Sequence, residues 1–341
     1  MLQGETVLVT GCTGFIAKHI VLALVREGAR VRGSLRDPAR SVELQRLLQA
    51  AGLPVDRFES VRADLNREEG WREAVGGCRF VLHTASPFPA SQPRAKFALV
   101  PEAKGGAVRV LEAAKAAHAE RVVLTSSVAS IFYGHEGERS KLFTDRDVSN
   151  VESESISPYA VSKTEAEKAA WQTLAGSGTE LITINPSLVF GPLLDERLGT
   201  SATLVRLMMN GRMPAVPKIS FGVVDVRDVA AAHVAALTHP AAAGRRFIVS
   251  GGALSLMDIA DELRASFPQL ARRMPKHLFP STPIRLAARV SRRARMLAAE
   301  LGDAKRLDTG PAREVLGMEF REPREAVRAL GESLIRFGLV R

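Results

Sequence analysis

The first half of this 341-residue chain alternates strand-length apolar runs with helix-length segments, and few architectures accommodate that rhythm. The runs are Thr6 to Thr10, Ala29 to Leu35, Arg57 to Arg62, Phe80 to Thr84 and Arg121 to Thr125, with a sixth at Glu180 to Asn185. Each is near-continuously apolar, as strands covered on both faces are. Helical periodicity marks Phe15 to Arg26, Val42 to Ala51, Ala107 to Ala117 and Pro158 to Leu174 between them. Such alternation builds βαβ units and a doubly wound parallel α/β sheet.

After Asn185 the alternation weakens, and Pro186, Pro192, Pro214 and Pro217 mark loops. The helical stretch Val226 to Leu237 and the run Phe247 to Ser250 look as though they return to the sheet. The expected division is therefore a first domain over 1–186 to which 223–250 returns. Residues 187–222 and 251–341 then form a smaller, mainly helical substrate lobe. No internal repeat is visible.

The first strand runs into a glycine-rich turn, Thr10 to Ala17, that opens a helix. Gly11 suits the tight turn, Gly14 lets backbone approach a pyrophosphate, and Ala17 lets helix pack on strand. Gly11, Thr13, Gly14, Phe15 and Ile16 thus become dinucleotide-binding candidates on a Rossmann-type sheet, with helix N-terminal amides facing phosphate. Cys12 reads as a passive loop residue. The second strand ends Ser34, Leu35, Arg36, without the acid that would accept the ribose hydroxyls of NAD. Arg36, with Arg32 and Arg40 nearby, favours the 2′-phosphate of NADP(H). Asp64 and Leu65, past the third strand, are adenine-side candidates, although Asp64 could equally cap a helix.

Ser126 and Ser127 follow the fifth strand, at the carboxyl edge where open sheets bind ligands, and Ser127 is the better candidate. Tyr159 and Lys163 lie four apart at the start of a helix, so they share a face and can reach one reacting centre. A phenol has a pKa of about 10, and a nearby ammonium would favour its ionised form.

A formal charge of +10 invites a nucleic-acid reading, but the basic stretch between Arg272 and Arg295 has no interleaved aromatics for base stacking. Neither nucleic acid nor membrane is an expected partner, and no apolar run is long enough to span a bilayer. Two cysteines, Cys12 and Cys78, and no visible targeting segment point to the cytoplasm, with no metal site.

With these residues the chain resembles the extended short-chain dehydrogenase/reductase superfamily, and within it the dihydroflavonol reductase-like branch with the bacterial aldehyde and ketone reductases. The marks are the Gly11 to Ala17 loop, His83 to Pro87, the serine pair, Tyr159 through Glu165, Asn185 to Ser187, and Val224 to Val229. The resemblance covers nearly the whole chain. It implies that Tyr159 is the general acid, that Lys163 orients it and binds the nicotinamide ribose, and that Ser127 hydrogen-bonds the substrate oxygen. It further implies that Thr84, Ala85, Ser86, Pro186, Ser187 and Leu188 border the cofactor, and that His83 and Asp225 are structural.

There are two departures. The usual relay asparagine is replaced by Pro101 to Gly105, and the aromatics that surround the tyrosine in cinnamoyl-CoA reductases are replaced by Ser157, Pro158, Ala160 and Val161, which disfavours a CoA thioester.

The expected activity is NADPH-dependent reduction of a small ketone or aldehyde, by a possible homodimer. Phe88, Ile131, Phe132, Leu188, Met208, Met209 and Phe221 are the expected pocket wall. Arg206, Arg212 and Lys218 threaten that apolar reading if they turn inward. The alternatives are a nucleotide-sugar epimerase or dehydratase, a hydroxysteroid dehydrogenase, and a non-catalytic NADP-sensing protein.

Overall fold

A computed structural model describes residues 2–86, 93–135, 138 and 140–340. Seven strands form one parallel sheet. They are β1 (Thr6–Val9), β2 (Arg30–Leu35), β3 (Phe58–Arg62), β4 (Phe80–His83), β5 (Arg121–Thr125), β6 (Glu180–Pro186) and a last strand, Arg246–Val249. Their spatial order runs β3, β2, β1, β4, β5, β6, then Arg246–Val249. The order reverses direction beside β1, and that crevice at the carboxyl ends of the strands is where such sheets take ligands.

The continuous apolar runs are explained by two cores, one on each face. Val7, Val9, Leu82, Val123 and Ile182 point to one side, against α1 (Phe15–Arg26) and the helix Val226–Thr238. Leu8, Val81, Val122 and Leu181 point to the other, against α2 (Val100–Ala116) and α3 (Pro158–Leu174). A buried leucine or valine contributes roughly 1.5 to 3 kcal/mol, so a polar residue at any of these positions would be costly.

Helix α2 starts at Val100 rather than Ala107. Within it Gly106 lies against Leu65, whose Cβ would sit 3.1 Å from an added Cβ, so a close helix approach explains the glycine.

Past Pro186 the chain leaves the main sheet. Strand β7 (Leu188–Phe190) pairs in parallel with β8 (Ser220–Asp225), which also pairs antiparallel with Gly252–Ser255. Of the segment 223–250, the helix Val226–Thr238 lies against α1 and Arg246–Val249 completes the main sheet, while β8 belongs to this three-stranded sheet. A further core, including Phe190, Val205, Ile259 and Leu330, is drawn from 187–222 and 251–340, together with Val223 of β8. Asp225 joins the parts: buried, it caps the helix at Arg227 N and bonds the Arg227 guanidinium, which reaches Glu325 at 2.9 Å.

Candidate active site

A cleft of about 1150 Å³ runs along the carboxyl edge of the sheet to the three-stranded sheet. At one end lies the glycine loop. Gly11 has φ +61°, and an added Cβ there would stand 3.0 Å from the Ala85 Cβ, so glycine is required by both conformation and space. Gly14 N-caps α1 with no side-chain cap, leaving the helix's first amides open toward the cleft. Thr13, Gly14, Phe15 and Ile16 line that end, and Thr84, Ala85 and Ser86 line it from the end of β4.

Arg36 stands exposed on the cleft rim immediately after β2, with no hydrogen bond or ion pair among the described residues. Arg40 is also on the rim, 3.2 Å from Glu43. Arg32 departs from expectation. Its side chain runs along the sheet to Glu59 and to the carbonyl of Gly76, away from the cleft. Asp64 and Leu65 line the cleft, and the Asp64 carboxylate accepts the Asn66 N–H in a local turn rather than capping a helix.

Helix α3 begins at Pro158 because Ser157 accepts the Ala160 N–H at 3.1 Å and proline suits the first helical position. That start places Tyr159 and Lys163 on the cleft wall with Ala160 and Val161 buried behind them. The Tyr159 and Ser127 hydroxyls share a hydrogen bond. Burial raises the Tyr159 phenol above its usual value, and the Ser127 bond opposes that rise. Lys163 is not among the groups lowering it, contrary to the sequence expectation. Burial lowers the Lys163 ammonium to about 8, opposed by the Glu167 carboxylate.

The serine pair divides by orientation. Both line the cleft, but the buried Ser126 turns its hydroxyl back to Glu167. His83 is buried against Thr10, and burial lowers it to about 3.

At the far end Phe132, Leu188 and Phe221 line the cleft. Ile131, Met208 and Met209 do not: they are fully buried, Ile131 against Phe143 and the methionines in the core of the second lobe. The helix carrying the methionines turns its apolar stripe to that core, the commoner fate of such side chains. Phe88 lies outside the described residues. Arg206, Arg212 and Lys218 do not line the cleft, while Tyr133, Glu300, Asp303 and Lys305 do. Those four were missed. Tyr133 could have been read from its place beside Phe132, but the other three sit far along the chain, on an approach that only tertiary folding makes.

The residues fit a dinucleotide. Besides the uncapped helix, the buried Ser187 Oγ has no partner among the described residues and lies on the cleft wall between Pro186 and Leu188, an orphaned group of the kind a ligand satisfies.

Comparisons with known proteins give the same class. Residues 7–250 match the NAD dependent epimerase/dehydratase family, and the chain belongs to it, as an extended short-chain dehydrogenase/reductase. It is 36% identical to a cinnamoyl-CoA reductase of Medicago truncatula over 78% of this chain and 82% of that one. It is 30% identical to the NADPH-dependent methylglyoxal reductase of Saccharomyces cerevisiae over 97% of this chain and 98% of that one. The crystal structure of the yeast methylglyoxal/isovaleraldehyde reductase complexed with NADPH superposes with a TM-score of 0.79, covering 98% of this chain and 99% of that chain at 30% identity.

Proposed function

We propose that this protein catalyses the NADPH-dependent reduction of uncharged ketones or aldehydes to alcohols. The observation that carries this reading is the hydrogen-bonded Tyr159 and Ser127 pair, with Lys163 on the same helix face, at the end of a cleft opened by a glycine loop. NADPH, when bound, supplies the hydride. Tyr159, kept neutral by burial, holds the proton that the developing alkoxide needs, and Ser127 gives the same oxygen a second hydrogen bond. Lys163 presents its ammonium to the cleft, one helical turn from Tyr159, where it holds the ribose. The loop amides and Arg36 take the phosphates.

Phe132, Leu188 and Phe221 make the substrate end apolar, and the acids Glu300 and Asp303 outnumber the single cation Lys305 beside them. Simple carbonyl compounds fit this end better than CoA thioesters, because no aromatic flanks Tyr159 on its helix. No helix among the described residues is long and apolar enough to cross a membrane, and both cysteines are buried and free, which supports a cytoplasmic placement.

A panel of aryl ketones, keto esters and aldehydes assayed by absorbance with NADPH and with NADH tests the proposal. An enzyme that purifies with tightly held NAD and turns over no added NADPH would instead support an epimerase. Light scattering on the purified protein checks the homodimer this reading carries.

A further inference from the structure

Behind the cleft, one buried carboxylate gathers the groups on which the reaction depends. Glu167 lies one helical turn beyond Lys163 on α3. Four donors converge on it: Ser126 Oγ, Ser130 Oγ at 2.6 Å and Asn185 Nδ2 at 2.9 Å on one oxygen, and Arg246 Nε at 2.6 Å on the other. A carboxylate has about four acceptor directions, so this one is filled. The same donors hold the turn that carries Ser127. Asn185 Nδ2 donates to the Ser127 carbonyl at 3.2 Å, the single proton of Ser130 Oγ is divided between Glu167 and that carbonyl at 2.8 Å, and Thr183 Oγ1, donating at 2.9 Å to Asn185 Oδ1, fixes which way the amide faces. Arg246 extends the network to the carbonyls of Asp145 and Asp147, both at 2.7 Å.

We propose that Glu167 is a positioning residue for the reduction, joining the Ser127 turn to the helix of Tyr159 and Lys163 and keeping a negative charge close to the Lys163 ammonium. The proposal rests on the reductase reading above. A purely structural network would hold the turn without any bearing on the charge of Lys163. Here the two are linked, because Glu167 is the group that opposes the lowering of Lys163 by burial. The other titratable groups in reach are Tyr159 on the same helix, His83 from β4, which burial keeps neutral, and Arg246, which faces Glu167 from the last strand. Removing the Glu167 charge therefore lowers Lys163 further, so a larger share of it is neutral at pH 8. Activity that needs the ammonium is then lost at a lower pH than in the wild type.

The test compares Glu167→Gln and Glu167→Asp with the wild-type chain. It follows kcat and kcat/KM from pH 5.5 to 9, thermal melting, and NADPH binding by fluorescence. For Glu167→Gln the expected result is a loss of about tenfold in kcat at pH 8 and a basic limb moved down by about one pH unit, with much of the loss recovered near pH 6. For Glu167→Asp, which keeps the charge but shortens the reach, the limb returns to the wild-type position while kcat stays reduced. NADPH binding changes by less than about threefold in both. A Glu167→Gln profile parallel to the wild type at every pH, or full activity, overturns the proposal. If Glu167→Gln does not fold, Ser130→Ala removes one donor to the same carboxylate, and unchanged kcat in that variant overturns it as well. Tyr159→Phe, run alongside, separates the two levels. Full activity there refutes the reductase reading itself, whereas an inactive Tyr159→Phe with an unmoved Glu167→Gln limb refutes only the role of Glu167.

Discussion

The Thr10 hydroxyl and His83 Nδ1 lie 2.8 Å apart beneath the glycine loop. That hydroxyl already accepts the N–H of Thr84 at 3.1 Å and of Ala85 at 3.0 Å, so its own proton is directed to Nδ1. The imidazole therefore carries its proton on Nε2 and stays neutral. The contact ties β1 to the cofactor-side loop after β4, which gives His83 a structural task and explains why a histidine beside the cleft takes no part in proton transfer.

His83 shares its situation with His19 and His233, both lowered by burial to about 4. All three have folded values below the ordinary 6.5, so as pH falls the unfolded chain takes up protons first. Their stabilising contribution is complete above about pH 6.5 and is lost as pH falls toward 4. The melting temperature is expected to fall steadily between pH 6.5 and 4.5. His233→Gln should start lower and fall less over that range, and an unaltered slope in the variant would show that His233 is not one of the groups responsible.

The proposed role of Arg36 in selecting NADPH is open to a direct test, since Arg32 is engaged with Glu59 and Arg40 is paired with Glu43. Arg36→Ala should lose about ten- to a hundredfold in kcat/KM with NADPH and little with NADH, as removal of a charge-assisted phosphate contact implies. Equal losses with both cofactors would point to general damage instead.

The composition of the substrate end sets a preference by charge. A keto ester should exceed its free acid in kcat/KM by about tenfold or more, because on that stretch of the cleft Glu300 and Asp303 outnumber Lys305, while Arg206, Arg212 and Lys218 do not line it. An aryl ketone should likewise exceed a nucleotide sugar. If the anionic member wins each pair, a cation reaches the substrate and the apolar reading of Phe132, Leu188 and Phe221 fails.

The two-sided sheet was legible from the sequence because each strand carries its own apolar run, and Tyr159 with Lys163 because four residues of helix put them on one face whatever surrounds them. The glycine turn was legible because the positive φ of Gly11 is a local demand of the turn, whereas the tight space beside Ala85 comes from the loop after β4. What could not be read depends on contacts between distant segments. Met208 and Met209 have the composition of a pocket wall, yet helix rotation in the second lobe buries them. Glu167 looks like a solvated helix charge until Arg246, some eighty residues away, is brought against it.

The most direct test is net NADPH oxidation with an aryl ketone by the wild-type chain and by Tyr159→Phe, with NADPH binding measured on both. The wild type is expected to consume NADPH in step with alcohol formed, and Tyr159→Phe to bind NADPH as well while losing about a hundredfold or more in turnover, since only the proton donor is removed. Near-normal turnover in Tyr159→Phe, or no net NADPH consumption by the wild type with any carbonyl in the panel, would contradict the assignment.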